Sequence, residues 1–164
     1  MITKHKASFV KNASAKTITV TKEIDAPLDQ VWKAWTTAEQ LDKWWGPEPW
    51  KAVTKKMEFK EAGSWVYKMQ GPKGEAQWVA ATFTNINAPN GFSATDRFTD
   101  ENGNKNNDMP SSRWKNSFTK SGDGTKIQSV LSFDSKEDMD EILKLGFEEG
   151  FAKGLDQLDD LLIH

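Results

Sequence analysis

The sequence predicts an α+β fold: a curved antiparallel sheet of about seven strands around a long C-terminal helix, with two short helices after the first strand. Three observations carry this. From Ser135 to Ile163, Met139, Ile142, Leu143, Phe147, Phe151, Leu155, Leu158, Leu161 and Leu162 recur at steps of three or four with adjacent pairs, one apolar stripe on a helix. Between Ala52 and Phe133 short alternating segments are punctuated by Gly, Pro and Asn clusters, the pattern of sequential strands joined by tight turns. A helix with a single stripe covers one face of that sheet, so the sheet must curl around it.

In chain order, Met1 to Lys16 is polar and reads as a flexible lead-in to one domain spanning residues 17–164. Thr17 to Ile24 alternates, with Ile18, Val20 and Ile24 on one side, and forms the first strand. Pro27 suits the first position of a helix, and Leu28, Val31, Trp32 and Trp35 follow at helical spacing. Thr37 with Gln40 reads as a capping box for a second short helix, Ala38 to Trp45, which Gly46-Pro47-Glu48-Pro49 stops. Strands follow at Ala52–Phe59, Ser64–Met69, Ala76–Ile86, Phe92–Thr99, Arg113–Lys120 and Thr125–Phe133, with a long polar loop over Asp100 to Ser112. Ser135 caps the final helix, about 40 Å long at 1.5 Å per residue. Glu137, Asp138, Asp140, Glu141, Glu148, Glu149, Asp156, Asp159 and Asp160 occupy its solvent side. Gly146, Gly150 and Gly154 lie along one flank, each costing about 1 kcal/mol relative to Ala. They point either to close backbone packing or to empty volume beside the helix.

Composition excludes several classes of function. A net charge of −2 with interspersed signs is not the basic excess of a nucleic-acid binder. Cysteine is absent, so there is no disulfide framework and no thiolate chemistry. The two histidines, His5 and His164, stand at the chain ends, which removes the commonest metal ligand and general base from the interior. No apolar run suggests a membrane span or a signal peptide, and a cytoplasmic location is expected. No metal or cofactor is expected. Eight tryptophans against one tyrosine require a large core, a lined cavity or a contact surface.

Several strings in this order resemble a known family. They are Asp25-Ala26-Pro27 with Val31-Trp32, Leu41-x-x-Trp44-Trp45-Gly46-Pro47, and Gly63-Ser64-Trp65-Val66-Tyr67-Lys68-Met69 with Gly71-Pro72-Lys73-Gly74. Gly124-Thr125-Lys126-Ile127 and Gly146-Phe147-x-x-Gly150-Phe151-x-x-x-Leu155-x-x-Leu158 complete the set. Together, over residues 17 to 163, the chain resembles the START-like (SRPBCC, helix-grip) superfamily. Within it, the likeness is to the family homologous to the C-terminal domain of the activator of the heat shock protein 90 ATPase. Ser64 departs from a more usual second glycine. The resemblance implies a sheet gripping the C-terminal helix, and an internal cavity between them. It implies no single activity, since folds host many functions.

If the apolar strand faces point at that helix, polar groups enter the interior: Tyr67 between Trp65 and Met69, Asp96 between Ala94 and Phe98, Asn116 between Trp114 and Phe118, Ser129 between Ile127 and Leu131. Such groups either satisfy one another or orient a ligand in an apolar pocket. The candidate ligand cavity is Trp45, Trp65, Tyr67, Met69, Asp96, Phe98, Trp114, Asn116, Ser129, Phe147, Gly150 and Phe151. Trp32 and Trp35 read as core, and Trp44, Trp45 and Trp50 as lid, contact patch or core at the cavity mouth. Arg97 and Arg113 have surface parity unless a bulge flips them. The expected function is binding of a small apolar or amphipathic molecule by a monomer or weak dimer. The alternatives are a chaperone-associated protein, and a cyclase- or hydrolase-like enzyme using Asp96 or Tyr67; no catalytic residue is assigned.

Overall fold

The computed structural model describes residues 5–163. His164 and the first four residues of the expected lead-in lie outside the described residues. The strands are β1 (Ser8–Asn12), β2 (Thr17–Ile24), β3 (Lys51–Met57), β4 (Ser64–Gln70), β5 (Ala76–Asn87), β6 (Gly91–Thr99), β7 (Ser112–Ser121) and β8 (Gly124–Ser132). The helices are α1 (Leu28–Thr36), α2 (Ala38–Trp44), α3 (Lys136–Lys144) and α4 (Phe147–Leu162). One sheet runs β1-β2-β8-β7-β6-β5-β4-β3, with every neighbour antiparallel. The expected α+β fold is therefore present: a curved antiparallel sheet, two short helices after the strand Thr17–Ile24, and a C-terminal helical segment on the inner face.

Several expectations are corrected. Residues 8–12, read as part of a flexible lead-in, form an eighth strand paired with β2, Phe9 opposite Val20. Their neighbours are polar, so alternation is weak; Phe9 supplies the anchor, edge-to-face on Phe147 with centroids 6.2 Å apart. Lys11 adds an ion pair to Glu148 at 3.2 Å. The long C-terminal helix is two helices. Ser135 caps α3 as expected, accepting the Asp138 N–H at 3.1 Å, but Gly146 sits at φ +86° and ends the run. A left-handed glycine just past a helix is a common stop signal, and the spacing of the apolar stripe hides it.

The other two glycines have separate tasks. A Cβ at Gly154 would lie 3.3 Å from the Trp44 carbonyl oxygen, so α4 packs closely there on the end of α2 rather than on the sheet. A Cβ at Gly150 would meet Pro47 at 3.7 Å, ordinary contact. Gln157 fastens the same junction, its Nε2 donating to the carbonyls of Trp44 at 3.0 Å and Gly46 at 2.8 Å. The Thr37 capping box does not form: the Thr37 hydroxyl instead donates to the Lys33 carbonyl of the preceding turn at 2.8 Å.

The inner face is filled by Ile18, Val20, Trp65, Tyr67, Phe83, Phe92, Trp114, Phe118, Ile127 and Leu131, all buried. Trp32 is ringed edge-to-face by Phe59, Phe92 and Phe118. At the other end Phe151 of α4 meets Trp35, Trp45 and Trp114. One charged pair crosses this core. Lys22 continues the inward parity of Ile18, Val20 and Ile24, and its Nζ lies 2.5 Å from Asp159 Oδ2, both side chains 1% exposed. Asp159, expected on the solvent side of the last helix, is thus an interior group. Lys22 also donates to the His5 carbonyl, and Asp156 lies 4.0 Å away.

Two outcomes test this arrangement. Gly146→Ala adds a Cβ in ordinary contact with Glu149 at 3.9 Å but forces a side chain into left-handed backbone, so chemical denaturation should show a loss of about 1 kcal/mol. Lys22→Met leaves Asp159 buried beside an apolar chain and should cost about 3–5 kcal/mol, whereas Lys22→Met with Asp159→Leu should recover most of it. A double variant no more stable than the single one would contradict this account of the pair.

Candidate functional site

The inner face is not completely filled. A cavity of about 20 Å³ remains among Trp35 of α1, Leu41 of α2, Trp45 in the turn after it, Trp65 of β4, Ala81 and Phe83 of β5, Phe92, Ala94 and Asp96 of β6, and Trp114 and Asn116 of β7. That volume admits one water-sized group. Of these lining residues only Trp45 and Asp96 retain appreciable accessible surface, so the reachable side of the cavity lies between them. A wider hollow of about 400 Å³, among Pro27, Leu28, Asp29, Pro89, Lys120, Asp123 and Gly124, is an open surface groove lined by none of the inward-facing polar residues.

Five of the residues singled out by sequence come together here: Trp45, Trp65, Asp96, Trp114 and Asn116. Strand alternation brings them in. Asp96 follows Phe92 and Ala94 on one side of β6, and Asn116 stands between Trp114 and Phe118 on β7. Register does the rest, pairing Ala81 with Asp96 and Ala94 with Trp114. Tyr67, Met69, Phe98, Ser129, Phe147, Gly150 and Phe151 lie outside the cavity lining. Tyr67 is buried behind it, stacked on Trp65 at 4.0 Å and accepting the Trp45 indole N–H at 2.9 Å. Ser129 donates to Asn116 Oδ1 at 2.7 Å, so these two satisfy one another. Phe147 and Phe151 cover Trp114 from α4, with centroids at 6.0 and 5.5 Å. Met69 and Phe98 are half-buried farther along their strands.

Six lining residues were not singled out by sequence: Trp35, Leu41, Ala81, Phe83, Phe92 and Ala94. Phe92 and Ala94 share the Asp96 face and were legible by parity. Ala81 and Phe83 enter through the β5–β6 register, which spacing within one strand does not encode. The outer face keeps its own chemistry. Arg97 donates to the Thr82 hydroxyl at 3.0 Å and Arg113 pairs with Asp134 at 2.8 Å, with no bulge in β6 or β7 to turn either inward. Trp78 lies outside under Lys55 and Lys68, at 5.6 and 5.8 Å.

The electrostatics single out two groups. Burial pushes the Asp96 carboxyl up to about 7, only partly offset by Arg97. Among the described residues this carboxyl has no hydrogen-bond or ion-pair partner. Burial, and then the neighbouring Asp96 charge, raise the Tyr67 phenol above its usual range, against the Trp45 N–H that favours the anion. The second unpartnered group is a donor: the indole Nε1 of Trp35, a residue 3% exposed. Four other indole N–H groups are committed: Trp44 to the Ala34 carbonyl at 2.9 Å, Trp45 to Tyr67 at 2.9 Å, Trp65 to Thr54 at 3.0 Å and Trp114 to Ser112 at 3.1 Å. An aromatic-walled space with one carboxyl that holds or releases a proton near neutral pH, and one free N–H, can orient a small polar group.

Comparison with known proteins agrees with this architecture. The family described as Activator of Hsp90 ATPase homolog 1-like protein matches residues 25–162. The solved structure of protein Ms6760 from Mycobacterium smegmatis is similar with a TM-score of 0.90 and 31% identity, over 96% of this chain and 97% of that one. A protein from Arthrobacter aurescens gives 0.90 and 30%, over 94% and 90%. One from Staphylococcus epidermidis gives 0.83 at 24% identity over 94% and 93%, a likeness of fold. No curated protein matches the sequence. Among the described residues no helix is long and apolar enough to cross a membrane. With the match over residues 25–162 and the shared architecture, the chain belongs to the Activator of Hsp90 ATPase homolog 1-like family.

Proposed function

We propose that this protein binds a small apolar or amphipathic molecule on the inner face of the sheet, in the space around Asp96. The supporting observation is that two residues lining one aromatic cavity carry polar groups without protein partners: the buried Trp35 N–H, and the Asp96 carboxyl, which keeps accessible surface. Buried polar groups are normally satisfied, and a mostly apolar pocket with a few unspent polar groups is the usual build of a small-molecule site. At about 20 Å³ the closed space takes only a ligand's head. A larger body enters by displacing Trp45 and the Phe151 ring packed on it at 5.7 Å. Family membership is consistent with a ligand-binding fold.

Chaperone association, suggested by the family's description, fits the surface less well. Val10 and Val53, two of the exposed large apolar residues, lie on opposite edge strands of the sheet and form no continuous docking face.

Native mass spectrometry of protein purified from its source should show a retained small molecule that is released on denaturation. A bare chain mass, together with no tryptophan fluorescence change across a panel of apolar probes, would remove the proposal.

The ionisation of Asp96 supplies a second test. Its folded-state value, about 7, lies above the roughly 3.9 of an unfolded aspartate, so folding favours the neutral form. The stability it allows is fully present below about pH 4 and is lost as pH rises through about 7. Asp96→Asn should flatten this part of the pH profile, with a relative gain on the order of 2–4 kcal/mol at pH 8 over pH 4. Parallel melting profiles of the two proteins would show that Asp96 is not held in this way.

A further inference from the structure

The proposed pocket names no ligand chemistry, but its unsatisfied groups do. Asp96 presents oxygens and, when ionised, only accepts; the Trp35 indole N–H only donates. A ligand head that satisfies both must donate and accept at once. An ammonium group has three donors and no acceptor, so it would answer Asp96 and leave Trp35 unpaired. A carboxylate would answer Trp35 and face an ionised Asp96 as a like charge, or require that carboxyl to keep its proton. An apolar head would leave the buried Trp35 N–H unpaired and cut Asp96 off from solvent. A hydroxyl donates once and accepts twice, and it is the size of the water-sized space available, about 20 Å³.

Resting on the cavity reading above, we infer that the site takes a hydroxyl-bearing molecule, an alcohol or phenol, whose O–H donates to Asp96 and accepts from Trp35 Nε1. The walls fit the carbon next to such a hydroxyl. Trp45, Trp65, Trp114 and Phe92 surround the space with ring carbon. Trp65 and Trp114 have already committed their N–H groups, to Thr54 and Ser112, and Trp45 has committed its own to Tyr67. These three walls therefore offer apolar contact and no competing donor. Asn116 has its amide oxygen occupied by Ser129. The remainder of the ligand leaves between Trp45 and Asp96, the two lining residues with accessible surface.

The test uses the full chain, labelled with nitrogen-15, and three probes of one chain length: hexan-1-ol, 1-chlorohexane and hexylammonium. The Trp35 indole N–H signal, assigned by its loss in Trp35→Phe, reports directly on the donor. Hexan-1-ol should shift it saturably and bind at least about tenfold more tightly than either other probe. Trp35→Phe and Asp96→Asn should each reduce that preference for the alcohol over the chloride, whatever they do to overall affinity. Equal binding of hexan-1-ol and 1-chlorohexane would overturn the hydroxyl assignment and leave the pocket standing. Tighter binding of hexylammonium would overturn it in favour of a cation. No saturable response to any probe would remove both the assignment and the pocket reading beneath it.

Discussion

A curled sheet of eight strands makes a concave face too large for one helical stripe to fill, and the rest of this structure answers that constraint. Aromatic rings do most of the filling. Trp32 packs edge-to-face on Phe59, Phe92 and Phe118 at α1, and at α4 Phe151 meets Trp45 and Trp114 edge-to-face, as Phe147 does Trp114. Rings are rigid and pair at angles, each pair adding about 0.5–1.5 kcal/mol beyond its buried area. Rigid plates meeting at steep angles leave interstices that flexible side chains would close. The small cavity lies where such plates meet, between Trp45, Trp65 and Trp114. The abundance of tryptophan and the presence of a site-like hollow thus have one cause.

The interior also holds charge in two contrasting ways. Lys22 and Asp159 neutralise one another across the β2–α4 contact, at 2.5 Å and almost without solvent. Removing either partner is costly because the survivor stays buried, which makes this contact a fastening of α4 to the sheet. Asp96 has no such partner, and its proton is the substitute. A group that must keep a proton to be comfortable has capacity left over for something else. That asymmetry, more than any motif, marks Asp96 as the chemically available residue of the inner face.

Strand parity made much of this legible in the sequence. The inward set Trp65 and Tyr67, Phe92 to Asp96, Trp114 to Phe118 and Ile127 to Leu131 follows from alternation alone, because a period of two has no phase error within an unbulged strand. The irregularities at Thr54–Lys56 in β3 and Thr84–Asn87 in β5 fall outside those strands. The order of elements and the family likeness were legible too. What was hidden depends on partners distant in sequence. The inward parity of Lys22 was visible between Val20 and Ile24, but its meaning required Asp159, 137 residues away. The Ala81–Asp96 pairing required the β5–β6 register, and β1 required Phe147 to receive Phe9. Gly146 was misread for a different reason. An apolar stripe at steps of three and four carries over a single left-handed residue almost undisturbed, so periodicity alone does not reveal the break.

That break divides the end of the chain into two units of unequal hold. α4 is fastened by Asp159, by Gln157 on the end of α2 and by the rings at Phe147 and Phe151. α3 has its own cap at Ser135, a single fully buried side chain in Met139, and an exposed Leu145 at its end. Because Gly146 already interrupts the hydrogen-bond ladder, melting α3 breaks no helical turn of α4. The C-terminal region is therefore two-tiered. The nine residues of α3 are expected to open as a subglobal unit, their amides reaching solvent below the free energy of global unfolding, and α4 to exchange with the core.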